Sequence, residues 1–320
     1  MNCNPQALLA ATLLLLPSGW LAADPIDRAK IAADARWVVH LDVDALRASR
    51  IGTNLLQGIV ADQAASIKAR ASLDLPGIIR GTRSLTIYGA DYESGSQGRG
   101  ILLWQGAVEI EQIATAYLIQ QAEAAKSGGS SIHRIREKPF PIYSLGDDIH
   151  AAVRPGGGLI LGRSIDQIDN AARVLDGEAN SLSTSNSFTS FPPLAGNFFF
   201  LAFAGAFGDD VRIHAQANVL KLTNGGRLAI GEQAGNLEIE LILDARDDEA
   251  TANIQQVAQG MLALAILTQG SNPELQDLMR RAAVTVDGRQ VRMRLSIPAD
   301  LAERQIEAGQ PDAAADSSNK

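Results

Sequence analysis

His40, Asp42 and Asp44 form the sharpest chemical constellation in the chain. They alternate with Leu41 and Val43 in a stretch that reads as a strand, so a period of two sends all three side chains to one face. An imidazole and two carboxylates on one face could begin a metal site. The plainer reading of the same residues is a solvated sheet face, with Asp44 capping the helix that follows. No second ligand cluster accompanies them, and no cofactor is implied.

Arg289, Arg292 and Arg294, with Arg280 and Arg281 close by in sequence, make a basic cluster in an acidic chain. Arg292 and Arg294 alternate with Val291, Met293 and Leu295, so they line the outer face of a strand. Guanidinium groups placed this way could take a phosphate, an anionic glycan or a lipid headgroup. Alternatively they form a solvated face that discourages edge-to-edge aggregation.

Other chemistries lack their signatures. Cys3 is the only cysteine, which excludes cysteine-rich zinc sites, iron–sulfur clusters and disulfide scaffolds. His133, His150 and His214 are scattered among polar residues. There is no Gly-x-Ser-x-Gly elbow for nucleophilic hydrolysis. Gly156, Gly157 and Gly158 lie between two strand patterns, whereas a phosphate-binding loop needs a helix directly after it. The adjacent carboxylates Asp147/Asp148, Asp209/Asp210 and Asp247/Asp248 cannot converge on one substrate, and the last pair suits a helix N-terminus. With 36 acidic against 28 basic residues and a net charge of -8, a generic nucleic-acid surface is excluded.

These candidates must be positioned by the elements around them. The chain opens on a short apolar run from Ala7 to Leu16, then Pro17, Ser18 and Gly19, then Ala22 and Ala23 before Asp24. That order makes a secretory signal peptide cleaved after Ala23, and the run is too short for the roughly 20 apolar residues of a membrane span. Export, to a bacterial periplasm or beyond, is therefore expected. So is a protein that does not span the membrane.

Beyond the signal, strand-like and helix-like patterns recur in one order. Arg36 to Val43, Ser84 to Ala90 and Gly100 to Gly106 read as strands, followed by a helix through Ile110, Ile113 and Tyr117. Phe140 to Gly162 reads as further strands, and Ser164 with Gln167 caps a helix through Leu175. Asn180 to Pro193 has a linker composition. The order then returns. Asn197 to Phe203, Gly226 to Ile230 and Leu237 to Ala245 are strands; Asp247 opens a long helix; Val284 to Ile297 is a hairpin turning at Asp287-Gly288.

The expected fold class is α+β with two similar lobes, each β-α-β-β-α-β in ferredoxin-like order plus an extra strand and helix. The boundaries are a signal peptide at 1–23, a leader at 24–35, a first lobe at 36–179, a linker at 180–196, a second lobe at 197–308 and a disordered tail at 309–320. A single α+β domain built on one large sheet is the alternative. The long helix around Gln259 to Leu267 is apolar on more than one side, which fits either burial or a homodimer seam.

Gly231-Glu232, Gly235, Asp247 to Gln256, Gln259 to Leu264, Pro273-Glu274-Leu275 and Asp287-Gly288 resemble a group of exported, periplasmic bacterial proteins of unknown function with a duplicated α+β core. His40-Leu41-Asp42 before a helix is similar too. The resemblance implies export and the α+β layout, and it carries over no catalytic residue. The expected function is therefore a non-enzymatic binding or scaffold protein of the bacterial envelope, holding an envelope component or small ligand. Two alternatives stand beside it: a metal-dependent hydrolase using His40, Asp42 and Asp44, and a carrier of an apolar ligand using the aromatic run Phe198 to Phe203.

Overall fold

The structure, a computed structural model, describes residues 26–58, 75–92, 100–146, 148–156, 158–194, 196–208, 211, 215–268 and 273–309. The expected signal peptide, His214, Asp209/Asp210 and the expected tail beyond residue 309 lie outside the described residues.

The first half contributes strands β1 (Trp37–Asp42), β2 (Thr82–Gly89), β3 (Gly100–Gly106), β4 (His133–Arg136), β5 (Ile142–Ser144), β6 (His150–Arg154) and β7 (Gly158–Gly162). The second half contributes β8 (Asn197–Gly205), β9 (Thr223–Gln233), β10 (Asn236–Ala245), β11 (Ala283–Asp287) and β12 (Gln290–Pro298). The helices are α1 (Val43–Ala48), α2 (Leu75–Gly81), α3 (Val108–Ala125), α4 (Ile165–Leu175), α5 (Asp248–Thr268), α6 (Pro273–Arg281) and α7 (Ala299–Gly309). A 3-10 segment, Ala215–Leu222, leads into β9.

All twelve strands join one sheet in the order β11-β12-β10-β9-β8-β1-β2-β3-β7-β6-β5-β4. Every neighbouring pair is antiparallel. This corrects the ferredoxin-like expectation. A split βαβ unit sets crossover-linked strands parallel, whereas β1 and β2, separated by helical segments, pair antiparallel. The order of elements along a chain does not decide which edges pair. The two halves meet where β1 pairs β8, with Val38 opposite Phe203 and His40 opposite Leu201. Outward from that pair the path is β1-β2-β3-β7-β6 on one side and β8-β9-β10-β12-β11 on the other.

Local chemistry accounts for several elements. The Ser164 hydroxyl accepts from the Gln167 N–H and starts α4. The Asp247 carboxylate accepts from the Ala250 N–H and starts α5. Gly288 turns the β11–β12 hairpin at φ 55°. Gly231 permits the close approach of β9 to β8, since a Cβ there would lie 2.2 Å from the Asn197 carbonyl oxygen.

Both faces of the first half carry a packed core. On one, α3 sets Ile110 and Leu118 against Tyr143, Leu159 and Trp104. On the other, α4 sets Ile168, Ala171 and Ala172 against Val38, Tyr88, Leu103 and Ile160. The segment with linker composition lies on this second face. Leu182 and Leu194 are buried, and Phe188 and Phe191 pack against the core. Its polar residues satisfy each other and the backbone while its apolar ones cover the sheet, so 180–194 is a strap across one sheet rather than a spacer between two.

Candidate functional site

The second half carries two concavities on opposite faces of β9, β10 and β12. Register sets their character. Leu241 lies beside Leu228 of β9 and Met293 of β12, and Ile239 beside Leu295. The next position along, Glu240, lies beside Arg294, and Arg227 is one step away opposite Ile242. Strict alternation therefore makes one face apolar and the other charged.

Helix α5 lies over the apolar face. Its first turns dock there, burying Ala250, Ile254 and Ala258. Beside and beyond them it leaves large apolar side chains uncovered: Val257 is 40% exposed, Met261 59%, Leu264 61% and Leu267 76%. Between helix and strands runs a groove of about 690 Å³ lined by Leu228, Ile239, Leu241, Met293, Val257, Met261 and Ala265, with Met279 and Val284 at one side. Its walls are almost wholly aliphatic and thioether, with Arg294 at one edge and, among the described residues, no aromatic ring. Of the two readings of Gln259 to Leu267, full burial is not found: Leu262, Ala265 and Ile266 are half-buried and the other large apolar side chains are exposed.

On the charged face Glu240 is 5% exposed and accepts from two guanidinium groups. Arg227 Nη2 donates to Oε1 at 2.7 Å, and Arg294 Nη2 donates to Oε2 at 2.7 Å. Burial works to raise the Glu240 carboxyl, but these hydrogen bonds and the nearby Arg227 and Arg292 charges outweigh it and hold it below the ordinary carboxylate range. Arg227 Nη1 also donates to the Pro192 carbonyl, tying the strap to the sheet. The resulting hollow of about 430 Å³ has a charged floor of Arg227, Arg292, Arg294, Glu238 and Glu240 and an apolar wall of Pro192, Pro193, Leu194 and Phe198.

Of the three arginines expected at an anion site, Arg292 and Arg294 line this hollow and Arg289 does not. Arg289 sits at the hairpin turn and donates to the Arg246 carbonyl at 3.2 Å. Sequence reasoning missed Arg227 and Glu240. The signal was present in Gly226-Arg227-Leu228 and Glu238-Ile239-Glu240, charges alternating with apolar residues in strands, but a solvated face was the natural inference until the strap covered it.

His40, Asp42 and Asp44 line a common polar hollow of about 250 Å³ with Asp27, Lys30, Arg83 and Gln105. Their side chains nevertheless do different work. His40 is 5% exposed, and its Nδ1 lies 2.8 Å from the Thr86 hydroxyl. Asp42, not Asp44, caps the following helix by accepting from the Ala45 N–H at 2.8 Å. The cap ends β1 at Asp42, so Asp44 falls on α1, where it pairs with Arg47 at 2.7 Å. Among the described residues no group of three or more His, Cys, Asp or Glu side chains is arranged to hold a metal ion. The shared-face reading assumed that the strand continued through Asp44, and β1 ends at Asp42 instead.

Of the aromatic run, Phe198 borders the charged hollow, and the rest does not enclose an apolar cavity among the described residues. Phe198, Leu201 and Phe203 belong to the core beneath the strap, and the Phe188 and Phe191 rings lie tilted against the Phe203 ring at 5.5 and 6.1 Å. His133 is exposed on β4, with Nδ1 3.2 Å from the Ser131 carbonyl.

No protein-family model matches the chain, and no curated protein matches it. Among solved structures, crystal form III of TP0453 is similar at 14% identity and a TM-score of 0.49, covering 88% of this chain and 98% of that one. Crystal form I of TP0453 is similar at 12% identity and a TM-score of 0.47, covering 88% and 97%. Among the described residues no helix is long and apolar enough to cross a membrane.

Proposed function

We propose that this chain is an exported binding protein of the bacterial envelope, and that its ligand is a small apolar molecule held in the groove beneath α5. The groove itself carries the reading. At about 690 Å³ it is of the size that small-molecule sites take, and its lining is almost wholly apolar. A soluble domain seldom leaves such a surface open without a use for it. The N-terminal signal pattern supports export, since it combines a short apolar run, a breaker and small residues before Asp24. The like strand paths on either side of the β1–β8 pair support reading the chain as one α+β unit written twice. On that reading, the second copy has been opened for binding.

The test is titration with the uncharged fluorescent probe N-phenyl-1-naphthylamine. Wild-type protein is expected to enhance its emission saturably, at one site. Leu241→Trp, which fills the groove from the sheet side, is expected to abolish the enhancement while keeping the native circular dichroism spectrum. Equal enhancement by the folded variant, or none by the wild type, removes the proposal.

A further inference from the structure

The geometry points to a second, independent ligand site in the charged hollow on the opposite face, built for the carboxylate of a small acid with an apolar body. Arg227 and Arg294 are fixed in place because each donates to a different oxygen of the buried Glu240. Arg292 is placed beside them but is not used up. Its Nε lies 3.9 Å from Glu240 Oε2, beyond hydrogen-bond range, and among the described residues its guanidinium makes no hydrogen bond. It is partly exposed, at 35% for the side chain, and faces into the hollow. Hence the site presents a planar fork that is held near Glu240 only by charge and whose N–H donors are not hydrogen-bonded.

Charge and shape then select the ligand. Three guanidinium groups face two carboxylates, Glu238 and Glu240, and Glu238 is engaged by the Ser296 hydroxyl. The surplus is one positive charge. That matches a monoanion better than a phosphate monoester, which carries about -1.5 to -2 at neutral pH. A carboxylate is planar and accepts two parallel N–H bonds from one arginine. Beside the fork, Pro193, Leu194 and Phe198 give an apolar wall, so the acid that fits carries a hydrophobic group rather than a second charge. The strap supplies that wall, and Arg227 holds the strap through the Pro192 carbonyl. Wall and floor are therefore joined before any ligand arrives.

Isothermal titration of the full mature protein at low ionic strength tests this, with benzoate, acetate and inorganic phosphate as probes. Benzoate is expected to bind at one site and more tightly than acetate or phosphate. Arg292→Ala should weaken benzoate roughly tenfold to a hundredfold, the loss of charge-assisted hydrogen bonds. Arg292→Lys should fall between, because it keeps the charge and loses the fork. Arg289→Ala should leave binding unchanged, as should Leu241→Trp in the apolar groove. Four results would overturn the inference: wild-type affinity in Arg292→Ala, an equal loss in Arg289→Ala, phosphate binding more tightly than benzoate, or loss of benzoate binding in Leu241→Trp.

Discussion

The two halves of this sheet follow the same strand path and are packed in different ways. In the first half large side chains meet α3: Trp104 and Tyr143 pack between helix and sheet, leaving a hollow only beside its last turns. In the second half α5 meets leucine, isoleucine and methionine across the sheet and stays apart from it over its later turns. The other faces differ as well. Under α4 the first half is apolar, whereas the corresponding surface of β9, β10 and β12 holds Arg227, Glu240, Arg292 and Arg294 under a strap. The difference teaches that topology does not decide whether a sheet face becomes core or site. Side-chain volume and charge at a few alternating positions do.

The largest expected effect lies in the charged hollow. Glu240→Ala leaves Arg227, which is 3% exposed, without its carboxylate. Breaking a buried pair in this way costs about 3–5 kcal/mol, read by urea denaturation. The same group sets a pH dependence with a definite sign. Because the folded state holds the Glu240 carboxyl below its ordinary value, its contribution is present above the unfolded value of about 4.3 and is lost as pH falls through the folded value. Glu240→Gln should therefore flatten the acid limb of a stability–pH curve. An unchanged limb would assign the acid sensitivity elsewhere and leave the charged face without its structural role.

Next comes the filled half. Ile110 is 2% exposed beneath α3, and Ile110→Ala should cost about 2–5 kcal/mol through lost burial and the cavity left behind. The smallest effect belongs to its counterpart. Met261 on α5 is 59% exposed, so Met261→Ala should shift stability by no more than about 0.5 kcal/mol. Similar costs for the two substitutions would mean that α5 is docked in solution as firmly as α3, and the contrast between the halves would fail.

Much of the local structure was legible in the residues. Ser164 and Asp247 mark helix starts because a side-chain oxygen must satisfy a free N–H there, and Asp287-Gly288 marks a hairpin because the turn needs a positive φ. The alternating run Val291 to Ile297 also paired as a strand. What remained hidden depended on pairing between distant segments. His40, Asp42 and Asp44 share a face only if the strand runs on, and the Asp42 cap decides against it. Arg227 and Glu240 become a buried pair only when a polar, serine-rich segment folds over them, and nothing in that segment's composition announces a strap. The groove is a matter of how far a helix stands off a sheet, a quantity that periodicity does not contain.

The β1–β8 pair at the middle of the sheet has a consequence for how the chain assembles. It joins Trp37 to Ala204 and Leu41 to Phe200, residues very far apart in sequence. The first seven strands can find one another locally, but the inner edge of β1 must wait until β8 has emerged and the strap has been laid down. Closing so long a loop is slow compared with forming hairpins. During that wait β1 displays a row of unpaired N–H and C=O groups, and an open edge accepts a strand from any chain. The centre of the finished sheet is thus the most vulnerable place in the unfinished one, where two newly made copies would first become entangled.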